Sequence, residues 1–382
     1  MKINIFGSTG IIGSKTLNII SKEFPLIKVN LLCADKNVKK LIKQCKIYKP
    51  NYVYLNDDKK YKILKSNIYS NTKILNFSEL INYLNISESD YSLLAISGYH
   101  SLKYFKSILN NTKSLGLVNK EAIVSAGHIF LKYKKNLKNK IYPLDSEHFS
   151  IFKNINSNKL NNINNLTLTA SGGPFHGKKF KDLKNVSFKK ASTHPKWKMG
   201  YKNSIDSATL ANKCLELIEA HYLFEIPFSK LNIKIHPESK VHSIIEYRNY
   251  FYNMIVFQND MSIPIYHFLN QKFNYDLNNP KLSISNIKNY TFYDVKYDQF
   301  PIYKLFCKLD KEDPKNLINF NVANEFAVNL FKRNLIRYTD IYNIIDKITC
   351  LNLNYKLNNI KDIINYHDEL EIKIKNQFYT SI

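Results

Sequence analysis

Cysteines and long apolar runs are both scarce in this sequence of 382 residues. Its five cysteines are scattered and form no CxxC pair: Cys33, Cys45, Cys214, Cys307 and Cys350. This distribution argues against a disulfide framework and a zinc knuckle, and it favours a reducing compartment. No apolar run reaches the roughly 18 residues of a membrane span, and a strand-like run begins directly after the first residue, which leaves no room for a signal peptide. The sequence therefore predicts a soluble, cytoplasmic protein without a membrane partner.

Acidic residues are also few, because 31 Asp and Glu stand against 56 Lys and Arg and give a net charge of +25. A charge of this sign is typical of nucleic-acid-binding proteins. Here the lysines are mixed with Asn, Ile and Tyr along the whole chain instead of forming one basic stripe. We therefore expect no nucleic-acid partner, although the positive field would attract anionic, phosphorylated substrates.

Short apolar runs alternate with amphipathic ones over the first third of the chain, from KINIF to IYPL. Such alternation indicates a parallel sheet covered by helices. The sequence pattern changes after residue 144, which indicates a second α/β domain that carries the chemistry. Three helical patterns lie at the end of the chain. We therefore expect an α/β fold in four segments, namely two α/β domains (1–144 and 145–270), an Asn- and Pro-rich linker (271–296) and a small helical domain (297–382).

A glycine-rich turn, GSTGIIG, lies between the first strand pattern and the first helical pattern. It places Gly7, Gly10 and Gly13 where a tight turn lets backbone N–H groups approach a pyrophosphate at the positive end of a helix. A merely structural turn is the alternative. Its position after the first strand of an alternating region favours a dinucleotide site.

The residues after the second strand pattern bear on the type of dinucleotide. Asp35 lies about where a carboxylate bonds the ribose 2′-hydroxyl of NAD. Lys36 and Asn37 follow it and could grip the 2′-phosphate of NADPH. These residues favour NADPH and leave NAD open.

Two carboxylates, Asp145 and Glu147, flank Ser146 directly after the apolar run IYPL. Carboxylates two residues apart in an extended chain point the same way. In a long helical pattern that begins near Ser207, Glu216 could supply a third carboxylate for Mg²⁺ or Mn²⁺ and leave positions open for a chelating substrate. A solvated acidic turn and an ordinary helix-surface Glu explain the same pattern equally well.

Polar groups suited to a phosphate monoester surround this cluster in the sequence: Lys120, Ser171, Ser207, Asn212 and Lys213. The only Trp of the chain, Trp197, lies in the polar segment 194–200. We interpret this segment as a mobile lid that excludes water from the substrate, with a buried core Trp as the alternative. His242 is interpreted as a structural histidine.

Eight blocks of the sequence resemble, in order, the signature blocks of the 1-deoxy-D-xylulose 5-phosphate reductoisomerase family: GSTGIIG, NKEAIV, PLDSEH, SGGPF, HPKWKMG, SIDSATLANKCLELIEA, IHPESKVHS and NVANEFAV. The resemblance implies a Rossmann-like NADPH-binding domain at 1–144, a catalytic and dimerisation domain at 145–270 and a homodimer. It implies that the ketose phosphate is isomerised and then reduced to 2-C-methyl-D-erythritol 4-phosphate, in the non-mevalonate route to isoprenoid precursors. The implied cofactors are NADPH and Mg²⁺ or Mn²⁺, with Co²⁺ as a further candidate.

The resemblance also implies roles for individual residues. The cofactor residues would be Thr9, Gly10, Ile11, Ile12, Lys36, Asn37, Asn119, Glu121 and Gly200. The metal ligands would be Asp145, Glu147 and Glu216. The substrate would contact Lys120, Ser146, Glu147, Ser171, His194, Ser207, Asn212, Lys213 and Glu216, under a lid with Trp197 and Met199. Glu147 is the candidate for proton transfer, with Lys120 and His194 as the other catalytic candidates.

Four positions depart from the family pattern: Ile11 where Ser is common, Asp35 where Gly is usual, Tyr201 where a basic residue is common, and Ser262 where Arg is usual. The first two bear on the tightness and selectivity of cofactor binding, and none removes a metal ligand. Two other classes of protein have requirements that can be compared with this sequence. An aspartate-semialdehyde-type dehydrogenase needs a nucleophilic Cys after an Asn, and no cysteine here follows an Asn. A nucleic-acid-binding protein needs its basic residues on one face beside exposed aromatic rings.

Overall fold

The computed structural model describes residues 1–134, 140–155, 162–193, 200–275 and 289–379. The strands in these ranges are β1 (Lys2–Phe6), β2 (Lys28–Ala34), β3 (Tyr52–Leu55), β4 (Lys73–Leu75), β5 (Ser89–Leu94), β6 (Thr112–Leu117), β7 (Lys140–Pro143), β8 (Ile163–Ala170), β9 (Leu231–Ile235), β10 (Val241–Tyr247), β11 (Tyr252–Val256) and β12 (Tyr293–Asp294). The α-helices are α1 (Ile11–Glu23), α2 (Val38–Tyr48), α3 (Tyr61–Lys65), α4 (Phe77–Ile86), α5 (Leu102–Asn110), α6 (Lys120–Lys134), α7 (Ser146–Asn154), α8 (Phe188–Ala191), α9 (Tyr201–Thr209), α10 (Ala211–Phe224), α11 (Ser262–Leu269), α12 (Pro301–Lys308), α13 (Pro314–Lys332), α14 (Asp340–Thr349) and α15 (Ile360–Tyr379).

The chain divides into two compact units, and each is made of several stretches of sequence. The first unit comprises Met1–Ala122, Tyr133–Phe149 and Asp260–Pro280. The second comprises Ile123–Lys132, Ser150–Asn259 and Lys281–Ile382. The segment boundaries expected at residues 144, 270 and 296 stay predictions.

The first unit is built on a parallel sheet of seven strands in the order β4-β3-β2-β1-β5-β6-β7. The residues of β1, β2 and β5 are buried nearly throughout because both faces of the sheet are covered. The strand order reverses between β1 and β5, and ligands of open α/β sheets bind outside the carboxyl ends of the strands at such a reversal. The turn after β1, which contains GSTGIIG, lies at this point.

Helix α11 completes the core of the first unit, although it follows the second unit's strands in the sequence. Ile265 and Phe268 are fully buried in that core, and the Phe268 ring meets Tyr91 edge-on at 5.5 Å. The chain therefore returns to the first unit at Asp260, because the apolar side of α11 packs in the core of that unit. The sequence pattern alone had grouped this stretch with the second domain.

The second unit contains a mixed sheet in the order β11-β10-β8-β9-β12. β8 pairs in parallel with β9 and antiparallel with β10, which in turn pairs antiparallel with β11. His242 is buried in β10 and stacks on Phe257 with ring centroids 4.2 Å apart, which supports the structural interpretation.

The expected α/β fold class is confirmed. The alternating runs of the first third form β1 to β7 with their helices, and the three helical patterns at the end form α13, α14 and α15. Within the described residues, no helix combines the length and the apolar character that a membrane crossing requires.

Candidate active site

The glycine-rich turn of the first unit is as tight as its sequence predicts. Gly7 has a φ of 88°, and the N–H groups of Gly7 and Ser8 both donate to the Cys33 carbonyl oxygen, at 3.0 and 2.9 Å. A Cβ on Gly13 would lie 2.3 Å from the Gly7 oxygen, so only glycine fits. α1 begins after Gly10, and among the described residues no side chain caps its first N–H groups. The start of α1 can therefore receive an anion.

Helix α2 holds this turn in place from the side. The Lys40 ammonium donates to the Thr9 carbonyl oxygen at 2.8 Å, and the Gln44 amide donates to the Ser8 carbonyl oxygen at 2.7 Å. Two expected cofactor residues follow in α1, where Ile11 is exposed and Ile12 is half-buried. An exposed Ile at the first position of α1 presents its side chain to solvent.

The residues after β2 separate into one structural side chain and two candidate selectivity residues. The side-chain oxygen of Asn37 accepts from the Lys40 N–H at 3.1 Å and caps α2. The Asp35 carboxylate accepts from the Asn56 amide at 2.8 Å, and the Lys36 ammonium lies 3.9 Å from its other oxygen. Lys36 is therefore a cation that could approach a 2′-phosphate, and Asp35 is a charge that would oppose this.

Asn119 is a helix cap that ties two loops together. Its side-chain oxygen accepts from the Ala122 N–H at 2.6 Å, at the start of α6. Its amide donates to the Gly98 carbonyl oxygen and to the Ser101 hydroxyl, both at 3.0 Å. Lys120 and Glu121 are consequently fixed as the first two residues of α6, while a direct role of Asn119 toward the cofactor stays a prediction.

Asp145 and Glu147 are held by a helix start, and not by an extended chain as the sequence argument assumed. Asp145 caps α7 by accepting from the Glu147 N–H at 3.3 Å. A capping carboxylate starts a helix because it satisfies one of the first free N–H groups. Ser146 donates to a Glu147 carboxylate oxygen at 2.6 Å, and the Lys120 ammonium lies 3.2 Å from Asp145. The structure thus brings Lys120, Asp145, Ser146 and Glu147 together in the first unit.

The pKa of Asp145 lies below its ordinary value. Burial and, to a smaller extent, the neighbouring charge of Glu147 raise this pKa, but Lys120 and the adjacent His148 lower it by more. The side chain is therefore an ionised carboxylate at neutral pH, which is the form that a hard cation binds.

His148 is a site residue that the sequence analysis did not assign. Its side chain is fully buried, and its Nδ1 atom lies 3.6 Å from Asp145. The signal was the DSEH block itself, since residues three apart in a helix share a face.

In the second unit, the Ser171-Gly172-Gly173 turn packs against the end of α9. Gly172 and Gly173 have φ values of 81° and 65°, and the Gly173 N–H donates to the Ser171 hydroxyl at 3.2 Å. A Cβ on Gly173 would lie 2.8 Å from the Ala208 Cα and 3.0 Å from the Ser207 carbonyl oxygen. The glycines are needed for this close approach, which brings the elements carrying Ser171 and Ser207 together.

The single long helix expected from Ser207 onward is wrong, because the chain forms two helices there. α9 ends at Thr209, and α10 begins at Ala211. Between them the buried Leu210 has a φ of 67°, in the left-handed region that non-glycine residues rarely adopt. An apolar periodicity passes through one such residue without a visible break.

The start of α10 carries the expected polar group of Asn212, Lys213 and Glu216. The Asn212 amide donates to one Glu216 oxygen, and the Lys213 ammonium lies 2.5 Å from the other. Glu216 is only 1% exposed, so the alternative of an ordinary helix-surface Glu is wrong. A buried carboxylate of this kind carries a large desolvation cost, which its ammonium and amide partners offset.

His194, Trp197 and Met199 lie outside the described residues. Gly200, the last residue of the expected lid, precedes α9 with extended backbone and is exposed.

Comparison with known proteins shows to which family the chain belongs. The family model described as 1-deoxy-D-xylulose 5-phosphate reductoisomerase matches residues 3–127, and two models of its C-terminal regions match residues 141–224 and 257–372. A 1-deoxy-D-xylulose 5-phosphate reductoisomerase of Pelagibacter ubique is 36% identical over 383 residues, which covers 98% of both chains. The chain belongs to the 1-deoxy-D-xylulose 5-phosphate reductoisomerase family.

Other members of the reductoisomerase family agree along the whole length. The Clostridium novyi enzyme is 34% identical over 98% of this chain and 99% of its own. The solved reductoisomerase of Zymomonas mobilis in complex with NADPH superposes with a TM-score of 0.89 at 29% identity, covering 98% of each chain. A reductoisomerase solved with NADPH, fosmidomycin and magnesium gives a TM-score of 0.91 at 29% identity, with the same coverage.

Proposed function

We propose that this chain isomerises 1-deoxy-D-xylulose 5-phosphate and reduces the product to 2-C-methyl-D-erythritol 4-phosphate, in the non-mevalonate route to isoprenoid precursors. The observation that carries the proposal is membership of the reductoisomerase family over nearly the full length of the chain. Its relatives have been solved with NADPH and with magnesium. The residues that would be needed for both are present in this chain.

The carboxylates suit a hard divalent cation. Asp145, Glu147 and Glu216 each offer a carboxylate oxygen, and they are our proposed ligands for Mg²⁺ or Mn²⁺, with Co²⁺ as a further candidate. Two of the three already have cationic neighbours, Lys120 at Asp145 and Lys213 at Glu216. The Lys120 charge lowers the pKa of Asp145, and the ion pair with Lys213 would hold the Glu216 side chain in place until a cation binds.

The glycine turn suits the pyrophosphate of NADPH, because the start of α1 lacks a capping side chain among the described residues. When bound, NADPH supplies the hydride and the cation polarises substrate oxygen atoms. The chain's own residues hold the substrate and move protons. Glu147 is the candidate for proton transfer, and the Ser146 hydroxyl fixes one of its oxygens. Ser171, Ser207, Asn212 and Lys213 are the candidates that hold the phosphate.

The deciding experiment is an assay of NADPH oxidation by the purified chain with the ketose phosphate, with and without Mn²⁺. We expect turnover that needs both the substrate and the metal, with 2-C-methyl-D-erythritol 4-phosphate as the product. NADPH oxidation that does not depend on the sugar phosphate, or that continues after all metal is chelated, would refute the proposal.

We expect Asp35 to weaken the selectivity for NADPH. A carboxylate near a 2′-phosphate repels it by about 1 kcal/mol at close range, which corresponds to roughly fivefold in affinity. Asp35→Gly should therefore raise the ratio of kcat/KM for NADPH to that for NADH by about fivefold. Asp35→Asn is the matched variant, since it removes the charge and keeps a partner for Asn56. An unchanged ratio in both variants would mean that Asp35 points away from the ribose.

We propose that segment 194–200 is a lid, with Trp197 over the substrate carbon chain and His194 at its phosphate. The rearrangement passes through reactive carbonyl compounds, which must be kept from bulk water. Trp197→Ala should then lower kcat/KM at least about tenfold with little change in thermal stability. Because the chain has one Trp, substrate should also change the protein's Trp fluorescence. A loss of roughly 3–5 kcal/mol of stability, with fluorescence indifferent to substrate, would indicate a core residue instead.

We propose that the protein is a homodimer. β11 is an edge strand of its sheet, and Tyr250, Phe251 and Tyr252 at its start are 93%, 65% and 63% exposed. An exposed edge strand with aromatic side chains favours pairing with another chain. Sedimentation that shows only monomer at micromolar concentration would contradict this.

We propose a cytoplasmic location, which the five free cysteines support. A fluorescent fusion found outside the cytoplasm would contradict it.

A further inference from the structure

Asp206 is a buried carboxylate for which the proposed chemistry has no use. It lies on α9 with 1% of its surface exposed. The Lys202 ammonium, one turn earlier on the same helix, lies 2.8 Å from one of its oxygens. The Asn324 amide on α13 donates to the other oxygen at 2.9 Å. Asp206 therefore joins α9 to α13 through a fully desolvated polar contact.

Asn324 belongs to the NVANEFAV block, whose role the candidate site does not explain. This block lies in the middle of α13, and the Asn324 side chain is completely buried. A buried amide costs stability unless its hydrogen bonds are made. Its contact with Asp206 shows what the amide does there.

Helix α9, which Asp206 joins to α13, carries Ser207 and so part of the candidate phosphate site. Ser207 follows Asp206 directly, so the two side chains point about 100° apart around α9. Ser207 is half-buried while Asp206 is buried. Three residues later the left-handed Leu210 ends α9, and Asn212 and Lys213 begin α10. A shift of the last turn of α9 would therefore move Ser207 relative to Asn212 and Lys213.

The geometry points to Asp206 as a positioning residue that, through Lys202 and Asn324, fixes the end of α9 so that Ser207, Asn212 and Lys213 converge on the substrate phosphate. This inference rests on the proposed function, because it takes the phosphate of the sugar phosphate as the ligand. Asp206 does not touch the substrate. It acts through the placement of α9.

Three variants weaken the contact to different degrees: Asp206→Asn, Asn324→Ser and Lys202→Met. Lys202→Met changes only the half-buried partner of Asp206. This variant should fold even if the other two do not, so the inference can still be tested. Asn319→Ser is the matched control. Asn319 is equally buried on α13, and its amide donates to the Leu351 carbonyl oxygen at 2.7 Å and not to α9.

The measurements are KM for the sugar phosphate, KM for NADPH and the melting temperature, with and without inorganic phosphate. We expect the three variants to raise KM for the sugar phosphate by about tenfold and to leave KM for NADPH within about twofold, since a small misplacement of binding groups weakens binding strongly. Inorganic phosphate should raise the melting temperature of the unchanged protein and of Asn319→Ser, and this gain should shrink in the three variants. Asn319→Ser should lower the melting temperature and leave both KM values and the gain with inorganic phosphate unchanged.

A purely structural role would lower the melting temperature in all four variants and leave KM and phosphate protection unchanged, which would overturn the inference. If the unchanged protein does not turn over the sugar phosphate, the proposed function fails, and phosphate protection then decides the inference by itself. Absence of that protection in the unchanged protein would also overturn it.

Discussion

Replacing Asp145 with Asn is expected to lower metal-dependent turnover by about 10³-fold or more. Stabilisation of negative charge by a bound cation contributes several kcal/mol, and each 1.4 kcal/mol is worth about tenfold in rate. Asn caps helices as well as Asp does, so α7 should still begin at Ser146. What the substitution removes is the charge. Calorimetric titration with Mn²⁺ in the absence of substrate should show an affinity reduced at least about tenfold.

Asp260→Asn is the control for this prediction, because Asp260 makes the same two kinds of contact. It accepts from the Ser262 N–H at 2.8 Å at the start of α11, and the Lys15 ammonium lies 2.6 Å away. It has no place in the proposed ligand set. Mn²⁺ affinity should be unchanged in Asp260→Asn. Equal losses in the two variants, or no loss in Asp145→Asn, would remove Asp145 from that set.

Gly13→Ala should destabilise the protein and abolish tight NADPH binding. The new Cβ would lie 2.3 Å from the Gly7 oxygen and 2.7 Å from the Ser8 Cα, and these backbone atoms cannot rotate away. Relief requires the turn to open, at a cost of about 1–3 kcal/mol. Opening would displace the N–H groups at the start of α1. Thermal unfolding and a fluorescence titration with NADPH should therefore change together, the latter by about tenfold or more.

Gly10→Ala is the control that separates the effect of steric crowding at Gly13 from the effect of replacing any glycine of the turn. Gly10 has a φ of −70°, which any residue adopts, and a Cβ there would meet the Gly7 oxygen at 3.3 Å. The neighbour need give only slightly, so the loss of stability should stay below about 1 kcal/mol. If Gly10→Ala and Gly13→Ala unfold at the same temperature, the close contact at Gly13 is not what requires glycine there.

Much of this architecture could be predicted from the sequence because local pattern and global fold agree in the first unit. Buried parallel strands need continuous apolar runs, and each run from KINIF to IYPL forms a strand of the sheet or a helix upon it. The glycine turn could be predicted for a similar reason, since backbone crowding at Gly13 leaves one residue type. The grouping of Asn212 with Glu216 follows from helical spacing and is present.

What could not be predicted depends on contacts between distant parts of the chain or on single backbone angles. The break at Leu210 is one left-handed residue inside an apolar pattern that suits one helix or two. The capping role of Asp145 depends on where α7 begins, and sequence patterns locate helix ends only to within a few residues. The Asp206–Asn324 contact joins residues 118 positions apart, which no local pattern reveals.

The return of α11 to the first unit has a consequence for synthesis on the ribosome. The first sheet ends with β7 at Pro143, yet Ile265 and Phe268 of its core emerge about 120 residues later. At about 5–20 residues per second, the nascent first unit waits roughly 6–24 s with apolar surface uncovered. During that interval we expect chaperones to bind the exposed apolar surface. Fragments that stop before residue 262 retain this exposed surface permanently, so they should aggregate when expressed alone.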